Sequence, residues 1–251
     1  MRSERLARAL TTIGAIGAVV AVLAFARHRW DWSVAWRHRG FFIDGLKWTI
    51  VVSALAMAGS LALGTVAGLA RLSRRVLPNQ LAKIYVECVR GTPLIVQILI
   101  AYYALSPMIR LDSKLLVGAL VLAVFSGAYV AEIVRAGIEA IDRGQIEASR
   151  ALGLGHRQTM RHVVLPQAMR QIIPPLTGQF VSLIKDSSLL HVIGLYELTK
   201  AAYDGSAATY KYWEFYLPLA ALYLMLTLPL TRLAERLERR VNPTRRGVHV
   251  G

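Results

Sequence analysis

The sequence predicts an all-α polytopic membrane protein, and two observations indicate this class. The first is composition: 55% of the 251 residues are hydrophobic and the mean hydropathy is +0.44, more than one soluble core of this length requires. The second is the distribution of charge, since several long runs carry none at all. About 20 apolar residues of helix cross a bilayer core, and about 17 are sufficient.

These runs predict six spanning helices, an extra one at the N-terminus followed by a core of five. Five of the six are uncharged throughout: residues 9–26, 48–70, 91–109, 115–131 and 215–231. The remaining span, residues 171–190, is interrupted by Lys185 and Asp186. We therefore divide the chain into an N-terminal anchor helix with a basic linker (1–40), a membrane domain (41–240) and a basic tail (241–251).

The basic residues predict the orientation of these spans. The net charge of +15 comes from 30 Lys and Arg against 15 Asp and Glu. With the N-terminus inside, 19 of the basic residues lie on the inner face and nine outside, although the arginines of residues 27–39 conflict locally. Short cytoplasmic loops carry the positive excess, so this orientation is favoured. Charges that follow a membrane face in this way do not indicate nucleic-acid binding.

The N-terminal run has two interpretations. Three arginines, an apolar stretch and the small-x-small sequence Ala24–Ala26 are typical of a cleavable signal peptide. The run is also long enough to span the membrane, which favours an uncleaved signal anchor. The topology of the remaining spans is the same in both cases.

Small residues recur every four positions in the first core span. Ala56, Ser60, Gly64 and Gly68 therefore lie on one helix face, which lets a neighbouring helix approach closely. The alternative is the general enrichment of small residues in membrane helices.

About twenty polar, basic and glycine-containing residues follow the third core span, within residues 139–167. Helix formers precede Gly153 and Gly155, and a second helical pattern runs to Leu165 and Pro166, where the missing amide disfavours continuation. We therefore expect two short helices separated by a glycine turn at the cytoplasmic face. They serve either as a basic surface against anionic lipid or as a docking element for a cytoplasmic partner.

This segment, EASRALGLGHRQTMRHVVLPQA (residues 147–168), resembles the EAA loop of the membrane subunits of ATP-binding-cassette (ABC) importers. The positions in register with that motif are Glu147, Ala148, Gly153, Val163, Leu165 and Pro166. Ser149 departs from it, because the family usually has a second alanine there. The blocks GLKWTI, RGTPLIVQ, YVAEIVRAGIEAIDRGQIEAS and KDSSLL resemble the subgroup that imports polar amino acids, and the resemblance covers residues 41–240.

The resemblance implies a permease subunit of the bacterial inner membrane that forms the translocation pathway as a dimer with itself or a paralogue. It implies that a separate ATPase subunit binds ATP and Mg²⁺, with no cofactor in this chain. The residues of the EAA loop that this ATPase would contact are Glu147, Ala148, Ser149, Gly153, Leu165 and Pro166. It also implies an extracytoplasmic solute-binding protein that delivers an amino-acid substrate.

Charged residues inside the predicted spans are candidates for the translocation pathway. A buried charge in a membrane costs several kcal/mol unless it faces a wet cavity or a partner. Lys185 and Asp186, with Ser187 after them, either line the substrate path or form structural bonds to Glu132, Arg90 or a carbonyl group. Glu132 and Arg90 are themselves further pathway candidates.

Two other classes of function remain open at this point. A secondary transporter would show internal repeats, and none is found. A channel would have no use for a glycine-hinged cytoplasmic element. None of the six histidines falls in a metal-binding pattern, and GFFIDGLK lacks the adjacent Gly-Lys-Ser/Thr of a phosphate loop, so neither a metal site nor ATP binding is expected in this chain.

Overall fold

The computed structural model describes residues 2–25 and 30–241, and within them it contains helices and turns but no strand. The all-α prediction is confirmed. Packing divides the chain into two compact units, residues 1–37 and 38–251. Apart from Val241, the predicted basic tail lies outside the described residues.

The first unit contains helix α1 (Arg2–Phe25) and the short helix α2 (Trp32–Arg37), which the sequence did not predict. The predicted N-terminal span is helical as far as Phe25, and its last residue, Ala26, lies outside the described residues. Large apolar side chains are more than half exposed along α1: Leu10, Ile13, Ile16, Val19, Val20 and Val22. Such side chains are suited to contact with lipid.

Three helices of the second unit are both long and apolar enough to cross a membrane. They are α3 (Arg39–Arg71), α7 (Lys114–Glu139) and α12 (Tyr212–Val241). Each contains one predicted span and extends beyond it, because the helix continues through the charged residues that bound the apolar run. Each of these helices can therefore provide one of the six predicted spans.

The predicted span 91–109 is broken where it begins. Helix α4 (Val76–Gly91) is followed by α5 (Leu94–Ile100), a π-helical turn (Ala101–Leu105) and α6 (Ser106–Met108). The two halves meet at 105° and can together form one broken span. The residue before a proline avoids helical backbone, and Thr92, before Pro93, is extended (φ −117°, ψ 142°). The prediction missed α4.

After α7, helix α8 (Arg143–Ala151) forms as predicted, but the second short helix does not end at Leu165 and Pro166. Instead α9 (His156–Thr159) passes through a π-helical turn (Met160–Val164) into the long helix α10 (Leu165–Asp186). The prediction of a separate second helix is wrong. Pro166 directly follows the π-helical turn, and this widened turn accommodates its missing N–H.

The predicted sixth span, residues 171–190, is only partly α-helical. Helix α10 ends at Asp186, and Ser187–Ile193 form a 3₁₀ helix, directly after the two charged residues that interrupt the predicted span. Gly194 then turns the chain with a φ of +70°, and α11 (Leu198–Thr209), which was not predicted, precedes α12. Helix α10 carries Arg170, Lys185 and Asp186, and its crossing of the membrane stays a prediction.

The core of the second unit lies around α7. This helix packs most extensively on α3 and also contacts α4 and α10. Its buried side chains form one apolar cluster with the 3₁₀ segment and a second with α10 and the loop after α7. The loop and the polar residues of α10 are therefore attached to the same central helix.

Candidate functional site

The connecting loop between α7 and α10 (residues 140–164) is built on local backbone hydrogen bonds. Asp142 caps α8, its carboxylate accepting from the amide of Gly144 at 2.7 Å. At the other end Gly153 has a φ of +80° and donates to the carbonyl of Arg150 at 2.9 Å. Leu154 donates to the carbonyl of Ser149 at 3.1 Å. This pair of bonds is the Schellman pattern, which favours glycine at the left-handed position.

Buried contacts hold α8 against the next helical segment. The hydroxyls of Ser149 and Thr159 are hydrogen-bonded at 3.0 Å, and both side chains are buried. Ile146 packs on an apolar cluster that includes Val134 of α7 and Ile172 of α10. The side chain of Gln158 accepts from the amide of Gly155 at 2.9 Å. The connecting loop is thus a small folded element with fixed attachments to α7 and α10.

The opposite side of α8 is exposed. Glu147 and Ala148 lie on it, and no salt bridge involves Glu147 within the described part of the chain. Leu152 is 83% exposed. Ile146 lies on the core side of α8, whereas Leu152 at its end lies in the open. Leu165 and Pro166 are also exposed, at the start of α10.

Glu132 of α7 is surrounded by arginines from three helices. Its carboxylate lies 2.8 Å from Arg135 Nη2, 3.5 Å from Arg71 Nη2 of α3 and 3.9 Å from Arg90 Nη1 of α4. The side chains of Glu132 and Arg71 are about one-fifth exposed. The Arg90 guanidinium also lies over the ring of Tyr129, 5.1 Å from its centroid. Two of the pathway candidates, Arg90 and Glu132, are therefore brought together.

Two clefts run along the polar edge of α10. One, of about 460 Å³, lies towards α7 and is lined by Arg90, Glu132 and Gln179. The other, of about 530 Å³, lies towards α12 and is lined by Ser182, Lys185 and Glu235. Gln171 and Pro175 line both clefts. The single chain therefore presents an open polar surface along a helix that is otherwise packed in the core.

The remaining pathway candidates have different surroundings. Lys185 is exposed and faces the cleft towards α12, whereas Asp186 is half-buried. Ser187 is fully buried and its hydroxyl donates to the carbonyl of Ile184 at 2.7 Å, so it lines neither cleft in this conformation. Among the residues that the structure describes, neither Lys185 nor Asp186 forms an ion pair with Glu132 or Arg90.

The small residues of α3 lie against α7. Ser60 is fully buried. A Cβ atom on Gly64 would lie 2.5 Å from Val130 Cβ, and one on Gly68 would lie 2.8 Å from the carbonyl oxygen of Ala131. These distances leave no room for a side chain at either glycine. The face predicted for helix packing therefore lies against α7, and its glycines are in close contact with the backbone of that helix.

Two fully buried carboxylates, Glu197 and Glu214, were not predicted from the sequence because no local pattern marks them. Glu197 is fully buried at the start of α11 and accepts hydrogen bonds from two backbone amides and from Tyr223 of α12. Within residues 2–25 and 30–241, no group of three or more His, Cys, Asp or Glu side chains is placed to hold a metal ion.

Known proteins share both the sequence and the fold. Residues 60–243 match the family model described as binding-protein-dependent transport system inner membrane component. The glutamine transport system permease protein GlnP of Escherichia coli (strain K12) is 39% identical over 216 residues, covering 85% of this chain and 98% of that protein. The arginine transport system permease protein ArtQ of Bacillus subtilis (strain 168) is 36% identical over 202 residues, covering 80% and 92%.

Solved structures agree with these relatives. A crystal structure of an amino acid ABC transporter with histidines has 38% identity and a TM-score of 0.79, covering 85% of this chain and 100% of that one. A chain of the methionine ABC transporter MetNI, at 20% identity and a TM-score of 0.69, shares the fold. The chain therefore belongs to the family of binding-protein-dependent transport system inner membrane components, as a permease of the polar amino acid ABC importer type.

Proposed function

We propose that this chain forms the translocation pathway of an ATP-driven importer of polar amino acids in the bacterial inner membrane. It works as a dimer, with a second copy or a paralogue, and couples to a separate ATPase through the connecting loop. Family membership and the relatives named for glutamine and arginine transport support the substrate class. A solute-binding protein on the outer side delivers the amino acid.

The observation that carries the coupling role is the construction of α8. One side of this helix is fixed to the core through Ile146 and to α9 through Ser149, and the other side presents Glu147 and Ala148 to the solvent. From His156 onward the chain is helical without interruption into α10. A partner that grips the exposed side of α8 can therefore displace α10 as a rigid element. Transmission between sites requires such an element with two arrangements.

The pathway role rests on the open polar edge of α10. The clefts that contain Arg90, Glu132 and Lys185 are open on the single chain. Charged groups in a membrane require water or partners, and a second permease packed over this edge would enclose them in an aqueous path. Asp186 adjoins this path, and Ser187 contributes to the turn behind it. Permeases of this family are transport subunits, and ATP and Mg²⁺ belong to the partner ATPase.

Charge reversal at Glu147 tests the coupling role. Glu147→Arg should reduce ATP-dependent uptake into proteoliposomes by at least tenfold, because the exposed carboxylate no longer matches the cationic or amide groups of the ATPase. Uptake is measured with the ATPase and the binding protein present. Gln145→Arg is the matched control, because it places the same new side chain on the same exposed helix, about 200° around the axis.

Two results would contradict the proposal. Wild-type uptake by Glu147→Arg would remove the docking role of α8. Full uptake by the permease with no ATPase present would instead identify an ATP-independent secondary transporter or channel.

A further inference from the structure

A buried hydrogen-bonded clasp joins three helices just after α10. We define the Glu197 clasp as Thr49, Glu197, Thr199 and Tyr223. The Glu197 carboxylate accepts from the amides of Thr199 and Lys200 at 2.9 and 2.8 Å, and from the Tyr223 hydroxyl at 3.0 Å. The Thr199 hydroxyl lies 3.1 Å from that of Tyr223. Helix α11 is thereby tied to α12 through side chains as well as through the chain.

The same helix end is tied to α3. The Thr49 hydroxyl accepts from the amide of Leu198 at 3.0 Å, and Thr49 is fully buried. A Cβ atom on Gly45 would lie 3.0 Å from Leu198 Cα and 3.0 Å from Ala201 Cβ, so the two backbones are in close contact. The N-terminus of α11 therefore has a fixed position relative to both α3 and α12.

The clasp contains more than a helix cap requires. An exposed Ser, Thr, Asp or Asn would cap α11, whereas here a longer carboxylate is fully buried and takes a third donor from another helix. Burying a carboxylate is costly unless its oxygens are hydrogen-bonded. All three donors must therefore stay in place for Glu197 to remain buried, so the clasp residues are held in one geometry.

The segment between α10 and the clasp is short and fixed along its length. Residues 187–196 separate Asp186 from Glu197, and Leu190, Ile193 and Leu195 of this segment are buried in the core. A Cβ atom on Gly118 of α7 would lie 3.0 Å from Leu190 Cδ1. A shift at Glu197 would therefore be passed back to the end of α10, where Lys185 and Asp186 lie.

We propose that Glu197 and Tyr223 are positioning residues for transport, and that the clasp holds residues 187–196 so that Lys185 and Asp186 keep their place in the pathway. Neither Glu197 nor Tyr223 lines the clefts along α10, so they act through the segment and not by contact with substrate. This inference rests on the proposed function.

Tyr223→Phe tests the clasp, because it removes one donor to Glu197 and keeps the ring. The reporter is a thiol introduced as Ser188→Cys, at a half-buried position of the segment, in a Cys88→Ser background that removes the chain's own cysteine. We expect Tyr223→Phe to raise the labelling rate by a water-soluble methanethiosulfonate about fivefold, as the loss of one buried hydrogen bond predicts. We also expect about threefold fewer amino acids transported per ATP. Tyr216→Phe, the same change at a more exposed ring of α12, should leave both unchanged.

Each outcome has a defined meaning. Equal labelling and equal transport in Tyr223→Phe and the wild type would contradict the proposed role of the clasp. A loss of folded complex with no change in labelling of the surviving fraction would contradict it as well. If Tyr223→Phe cannot be purified, Thr199→Val removes the hydroxyl beside Tyr223, and unchanged labelling there overturns the clasp instead. Failure of the wild type to take up amino acids with ATP contradicts the proposed function, whereas the labelling ratio still tests the clasp.

Discussion

The α3–α7 interface and the connecting loop each depend on a glycine, but for opposite reasons. Gly64 has ordinary helical backbone, and a Cβ atom there would lie 2.5 Å from Val130 Cβ and 2.7 Å from the carbonyl oxygen of Gly127. Gly153 has open space around it, with no atom within 4 Å of a built Cβ, but its φ is +80°. One glycine is required by a neighbouring helix and the other by its own backbone.

This difference separates two kinds of region. The interface is fixed by the shape of α7, so a change in α3 is felt across the bundle. The turn of the connecting loop takes its shape from hydrogen bonds between residues close in sequence, so a change at Gly153 alters that turn and leaves the packing of α3 on α7 intact. A permease that is driven by a partner subunit needs two kinds of region. One is a rigid bundle, and the other is a small element that keeps its shape when the partner binds it.

Gly64→Ala should give the largest effect on stability. The added methyl group meets a backbone carbonyl and a Cβ atom, neither of which can rotate away, so α3 and α7 must separate, at a cost of about 1–3 kcal/mol. The free energy of unfolding, measured by SDS titration in bicelles, reports this cost. Gly40→Ala is the matched control, because it lies in the same helix with no atom within 4 Å of a built Cβ. A destabilisation of equal size in both variants would show that the close contact with α7 is not the cause.

Gly153→Ala should have a smaller and more local effect. Left-handed backbone costs a residue with a Cβ about 1–2 kcal/mol, which corresponds to a roughly tenfold loss of affinity for the ATPase if the turn must keep its shape. Surface plasmon resonance on the detergent-solubilised permease measures this affinity. In Gly155→Ala, φ is −67° and the nearest contact of the new methyl group is 3.6 Å, so binding should be retained.

The unfolding free energy of the membrane bundle gives a second test of Gly153→Ala. If it lowered the unfolding free energy of the membrane bundle as Gly64→Ala does, the connecting loop would not be an independent element.

Ser149→Ala should have the smallest effect, because it removes only the two hydrogen bonds of one hydroxyl, to Thr159 and to the carbonyl of Ile146. About 0.5–1 kcal/mol of local stability is expected to be lost, seen as faster amide hydrogen exchange in α8 by mass spectrometry. Thr159→Val removes the other hydroxyl of the pair, and the double variant should exchange no faster than Ser149→Ala, which already lacks that hydrogen bond. Additive effects in the double variant would show that the pair at 3.0 Å does not couple α8 to α9.

Local patterns predicted the parts of the site that local interactions build. Helix α8 and the glycine turn after it follow from residue types next to one another in sequence. The prediction that a helix ends at Pro166 is wrong, because the π turn before it accommodates the missing N–H group of the proline. The bend between α4 and α5 follows from the backbone preference of Thr92 before Pro93. The prediction from hydropathy treated residues 91–109 as one continuous span and therefore missed this bend.

The sequence by itself determined the class of the protein, most of its apolar helices and the motif in the connecting loop. These depend on composition, on periodicity and on the backbone preferences of single residues. Only the tertiary structure decided that Glu132 meets arginines of three helices, that Glu197 is buried against Tyr223, and that Leu152 is exposed while Ile146 is packed. The physical reason is that such contacts join residues far apart in the chain, and their geometry depends on how whole helices pack.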